Sequence, residues 1–131
     1  MKLSNYLVNE LKKLGYSHCF FVAGGNIMHL LESVRTNFKC IPFAHEVGAA
    51  IATEYHNESL DSNKNKAFCL VTAGPGLTNT ITAIAGAWQE SRELLIIGGQ
   101  VKRDDLATNK MRQRGIQEID GYQLVKTIQN T

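Results

Sequence analysis

Leucines at positions 3, 7, 11 and 14 recur at helical spacing through an otherwise polar stretch, and Gly15 stops the pattern. Residues 2–14 are therefore predicted to form an amphipathic helix. His18–Ala23 (HCFFVA) is apolar without interruption and ends in Gly24-Gly25, which predicts a buried strand and a tight loop. Helical spacing resumes through Ile27, Leu30, Leu31 and Val34, with Asn26 placed as an N-cap. A second short strand, CIPFA (40–44), leads into a helix expected from Glu46 to about Asn57. Asn57–Lys66 is polar and rich in Asn and Ser, a surface loop. The unit then repeats with a strand at Ala67–Ala73, a turn at Gly74–Gly76, a largely apolar helix at Leu77–Gln89 and a strand at Glu93–Gly99. Val101–Gly115 has no period and is expected to cross the surface as a loop. Helical spacing returns through Ile116, Ile119, Leu124 and Ile128, with a break near Gly121.

Near-continuous apolar strands alternating with helices predict a doubly wound α/β fold, a parallel sheet with helices on both faces. Crossovers should be right-handed, and ligands should collect at the carboxyl ends of the strands. That edge would carry Gly24-Gly25, Glu46, Gly74-Pro75-Gly76 and Gly99-Gln100, from four separate strands.

Composition narrows the picture only slightly. The 131 residues amount to a single domain, taken as residues 1–131, and a net charge of +2 is too weak for a nucleic-acid footprint. No apolar run approaches the roughly 20 residues of a membrane span, and Met1-Lys2 opens an amphipathic helix and not a signal peptide. Cys19, Cys40 and Cys69 fall in strand-like runs without CxxC spacing, so reduced, buried thiols in a cytoplasmic protein are expected, and no metal ligands.

Candidate chemistry is sparse. Gly74-Pro75-Gly76 follows a strand and opens a helix, but Asn79 stands where a dinucleotide fingerprint needs its last glycine, and Pro75 lacks an amide donor. No nucleophile elbow occurs. His29, His45 and His56 read as ordinary core or surface histidines, and Trp88 as core or interface packing. Glu46 is different. Its carboxylate sits between an apolar strand and a helix rich in small residues (Gly48, Ala49, Ala50, Ala52), where it needs a partner or serves as a dipole-favoured cap. The small faces at Gly48–Ala52 and Ala83–Ala87 are expected to admit a partner domain.

FFVAGGNIMHLL, FAHEVGAAIA, VTAGPGLTNTITAIAGAWQES, LLIIGGQV and RGIQEID occur in an order and spacing that resembles the pyrimidine-binding domain of thiamine-diphosphate enzymes, most nearly the acetolactate-synthase-like group. The resemblance runs from about residue 3 to the end. It implies the doubly wound fold already read from the pattern. It also implies that Glu46 activates thiamine diphosphate through N1′ of the aminopyrimidine, for carboligation or decarboxylation of 2-keto acids. Ala23, Gly24, Thr72, Pro75 and Asn79 fall on cofactor-facing positions, and Gln117 falls where acetolactate-synthase-like members place a substrate-facing glutamine. Ala23 replaces a frequent proline, and Ile116 an aromatic residue.

The family holds Mg2+ and the diphosphate with a separate domain bearing GDG, and no GDG occurs here. The resemblance therefore implies a fragment of a longer enzyme or the alpha subunit of a split decarboxylase. It would be completed by a diphosphate-binding domain of the same or another chain, assembled as a homodimer or tetramer and inactive alone. A non-catalytic binding or assembly module of the same fold is the alternative. Donor and acceptor substrates, and any requirement for FAD, are left open by the resemblance.

Overall fold

The computed structural model describes residues 2–59, 63–107 and 111–128, so parts of the expected 57–66 and 101–115 loops lie outside the described residues. Four parallel strands, β1 (Tyr16–Phe21), β2 (Lys39–Pro42), β3 (Lys66–Val71) and β4 (Ile96–Gly98), form a sheet in the order β2-β1-β3-β4. The chain moves outward from β1 to β2, crosses back to β3 and continues the other way to β4. The order thus reverses between β1 and β3, where doubly wound sheets open a crevice.

Helices α1 (Leu3–Lys13) and α2 (Met28–Arg35) cover one face, burying Val8, Leu11 and Val34 against Cys19, Phe68 and Leu70. Helices α3 (Glu46–Glu58) and α5 (Ile81–Gln89) cover the other, where Ala49, Ala50 and Ala83 meet Phe20, Cys69 and Val71. Strand β3 sends Phe68 and Leu70 into the first core and Ala67, Cys69 and Val71 into the second. Burial on both faces explains the unbroken apolar run that marks this strand in the sequence. The three cysteines are free thiols; Cys19 and Cys69 are buried and Cys40 is half-buried.

Helix α3 is fastened to its neighbours by polar contacts as well. The Asn57 amide brackets Ala67, accepting from its N–H at 2.7 Å and donating to its carbonyl at 3.0 Å. The buried Glu54 carboxylate accepts from Arg92 at 3.0 Å, and that guanidinium lies over the Tyr55 ring, 4.9 Å from its centre.

Several expected boundaries shift. Strand β1 begins at Tyr16, ahead of the apolar run, because Tyr16 is itself buried and its hydroxyl donates to Glu93 at 2.9 Å. Asn26 does not cap a helix. It lies within a short 3-10 turn (Gly25–Ile27), and its amide donates to the Ile116 carbonyl at 3.5 Å. The expected 77–89 helix is two helices, α4 (Pro75–Asn79) and α5, divided at Thr80. There both the backbone N–H and the hydroxyl bond to the Leu77 carbonyl (3.0 and 2.7 Å), a local competition that tightens the turn. Gly121 does not break a helix but begins one. Only α6 (Gly121–Val125) is helical in that region, capped by Asp120 accepting from Gln123 N–H at 3.1 Å.

The small-residue face of the second helix also differs from expectation. Ala83 and Ala87 are each 2% exposed, and Ala83 packs within the chain's own second layer, so they present no surface to a partner. Trp88, by contrast, is half-exposed at 50%.

Candidate functional site at the carboxyl edge of the sheet

Strand β2 ends at Pro42, and the chain turns through Phe43–His45 into α3. His45 is extended (φ −150°, ψ 142°), and its Nδ1 accepts from the Val47 N–H at 3.2 Å, capping the helix. Glu46 is thereby the first helical residue, half-buried, with its carboxylate in the first turn where the helix dipole favours a negative charge. Its Oε2 accepts from Asn79 Nδ2, on α4, at 2.9 Å. Its Oε1 has no hydrogen bond among the described residues. The pair joins the loops after two different strands.

Thr72, the first residue beyond β3, stands beside this pair between two glycines. A Cβ on Gly24 would overlap the Thr72 side chain, 2.6 Å from its Oγ1. A Cβ on Gly76 would lie 2.7 Å from Thr72 Cγ2 and 3.6 Å from Glu46 Oε1. Only glycine at both positions lets the loops after β1 and β3 close on this side chain. The Thr72 hydroxyl is buried and has no hydrogen-bond partner among the described residues. Leaving such a group unpaired costs roughly 1–3 kcal/mol.

The Gly74 turn is positioned from a third direction. Gly74 has φ 61° and ψ −119°, and a Cβ there would lie 2.5 Å from the Gln117 carbonyl oxygen and 2.9 Å from the Gln117 Cβ. Gln117 itself has φ 59°. The 116–119 segment is held over the edge by Asn26 at the Ile116 carbonyl and by Gln100 Nε2, which donates to the Ile119 carbonyl at 2.7 Å.

Of the residues singled out in the sequence, Gly24, Glu46, Thr72 and Asn79 come together around one spot, at the reversal between β1 and β3. Gln117 meets the same edge through its contact with Gly74. Ala23 and Pro75 are exposed, one beside Gly24 in the loop after β1 and the other opening α4. Two contributors were not read from the sequence. His45 caps α3 although histidine is not among the usual capping residues. Glu118 accepts from the main-chain N–H groups of Ala107, Arg114 and Gly115 at 2.6, 2.8 and 3.0 Å, and these bonds, Arg114's first, hold its carboxyl below the usual carboxylate range. No cluster of three or more His, Cys, Asp or Glu able to hold a metal ion occurs among the described residues, and none of their helices is long and apolar enough to cross a membrane.

Comparison with known proteins gives this geometry a context. The family model described as thiamine pyrophosphate enzyme, N-terminal TPP binding domain, matches residues 1–124. The chain is 33% identical over 119 residues to the acetolactate synthase of Arthrospira platensis, covering 87% of this chain and 19% of that protein. It is 31% identical over 121 residues to acetolactate synthase 2, chloroplastic, of Zea mays, covering 90% of this chain and 18% of that protein. The large subunit of acetolactate synthase isozyme 1 from Escherichia coli (strain K12) is 29% identical over 121 residues, covering 91% of this chain and 20% of that protein. The chain thus spans about a fifth of the length of these relatives. Because the family match takes in the whole sheet and both helical layers, the chain belongs to the thiamine pyrophosphate enzymes, as an N-terminal TPP-binding domain of the acetolactate-synthase-like kind.

Proposed function

We propose that this chain is the pyrimidine-binding part of an enzyme that decarboxylates 2-keto acids and joins the product to an acceptor, with Glu46 as the acid–base group at N1′ of the aminopyrimidine. The observation that carries the proposal is the Glu46–Asn79 pair. One carboxylate oxygen is fixed by an amide and the other is left for a ligand, at a reversal of strand order lined by glycine. When bound, thiamine diphosphate supplies the nucleophilic thiazolium carbon and the electron sink that decarboxylation of a 2-keto acid requires.

The chain's own residues hold and move a proton. Glu46 donates to N1′ and takes the proton back, and Asn79 keeps the carboxyl from rotating out of reach. Gly24 and Gly76, together with Ala23 and Pro75, bring main chain close enough to grip a flat ring. The Thr72 hydroxyl offers that ring the hydrogen bond it lacks within the chain. Gln117 faces the substrate from the segment above Gly74. Magnesium and the diphosphate belong to a domain outside these residues, on the same or another chain, within a dimer or tetramer, so residues 1–131 alone are inactive.

Carbon dioxide release from a 2-keto acid tests the proposal in a single experiment. It should require the full-length protein, thiamine diphosphate and Mg2+ together, be absent with residues 1–131 alone, and fall by roughly two or more orders of magnitude in full-length Glu46→Gln. Turnover by the isolated chain, or by the variant within a factor of two of the parent, would refute it.

A further inference from the structure

Glu118 is a carboxylate spent entirely on main-chain donors. It gathers N–H groups from Ala107, on the incoming side of the loop, and from Arg114 and Gly115, just ahead of its own turn. Three such bonds to one charged acceptor are stronger and more directional than neutral ones. They tie two separated stretches of chain to the residue that follows Gln117.

Gln117 needs that tie. A non-glycine residue at φ 59° is held in the left-handed region against its steric preference, and such a conformation persists only where its surroundings over-determine it. The Ile116 and Ile119 carbonyls are each held by one side-chain amide, from Asn26 and Gln100. Gln117 packs against Gly74, where no side chain would fit. Neither carbonyl contact reaches Ala107, Arg114 or Gly115; Glu118 does.

We infer that Glu118 is a positioning residue: by collecting the 107, 114 and 115 amides it locks the left-handed turn that seats Gln117 against Gly74. The inference rests on the proposed function only for the consequence, that Gln117 then meets the substrate. Glutamine could not substitute fully, because it offers one acceptor oxygen and turns an NH2 group toward donors.

Hydrogen exchange and kinetics on the full-length protein loaded with thiamine diphosphate and Mg2+ test this together. Glu118→Ala should speed exchange of the Ala107, Arg114 and Gly115 amides by roughly tenfold or more and leave the β3 amides unchanged. Gln117→Ala and Glu118→Ala should each lower kcat/KM for the 2-keto acid, and the double variant should match Gln117→Ala within about a factor of two, since no glutamine remains to be positioned. Unchanged exchange in Glu118→Ala, or two losses that multiply, would overturn the inference. Freed amides with Gln117→Ala fully active would uphold the lock and overturn the substrate role given to Gln117.

Discussion

Thr72 sets a condition on whatever occupies the site, because a buried hydroxyl without a partner destabilises the unliganded fold. Thr72→Val keeps the branched shape wedged between Gly24 and Gly76 and removes the unpaired group. The unliganded protein should gain up to about 1 kcal/mol, read as a rise in Tm, while its affinity for thiamine diphosphate falls. A variant that melts lower than the parent, or binds as tightly, would show that the hydroxyl is satisfied in some other way. At this scale the sequence was only partly legible. Glu46 stood out because a carboxylate between a buried strand and an alanine-rich helix needs a reason to be there. Resemblance places Asn79 only on a cofactor-facing position; its pairing with Glu46 is not legible in the sequence, since 33 positions separate them and no local spacing relates them. Glu118 was invisible for a similar reason: the amides it accepts from are main chain, which carries no residue signature.

Among the elements, legibility followed burial. Strand β3, buried on both faces, could be read directly, with bounds within a residue or two of Lys66–Val71. Strand β4 at the sheet edge is only three residues long, although the apolar run around it is longer, because its pairing with β3 covers Ile96–Gly98 alone. The period through residues 116–128 misled because Gln117 adopts a left-handed conformation to seat against Gly74, a tertiary demand that overrides local spacing. The join between β1 and α3 makes a prediction of its own. The His18 and His56 rings lie with centres 4.7 Å apart, tilted by 46°, and burial, followed by the charges of His56 and Lys39, holds His18 below the usual imidazole range. The unfolded chain takes up that proton near pH 6.5 and the folded chain only at lower pH, so folding stability should decline as pH falls from about 6.5 toward the depressed value. Thermal melts at pH 7.5 and 5.5 should show this loss, and His18→Gln should reduce it. An equal loss in the variant would place the titrating group elsewhere.

In the molecule as a whole, two helical layers hold a four-stranded sheet whose order reverses between β1 and β3, and the loops after those two strands meet at Thr72. This arrangement delivers Glu46 from a third strand's loop and Gln117 from beyond a fourth to the same edge, so the site is a property of the fold and not of any one segment. The fold class was readable from alternation of element types alone, whereas the meeting of the four loops needed three-dimensional structure to show which of them touch. Ala83 and Ala87, expected to face a partner, are instead buried within the chain, where α5 packs against α3. The central claim is that Glu46 exchanges a proton with N1′ of a bound aminopyrimidine. Exchange of the thiazolium C2 proton for deuterium, followed by NMR on full-length protein with thiamine diphosphate bound, measures the outcome of that proton transfer before any substrate enters. Glu46→Gln should retain the cofactor and slow this exchange by roughly a hundredfold or more, the loss expected for a positioned acid–base group. Exchange at the parent rate in the variant, with the cofactor still bound, would contradict the assignment of Glu46.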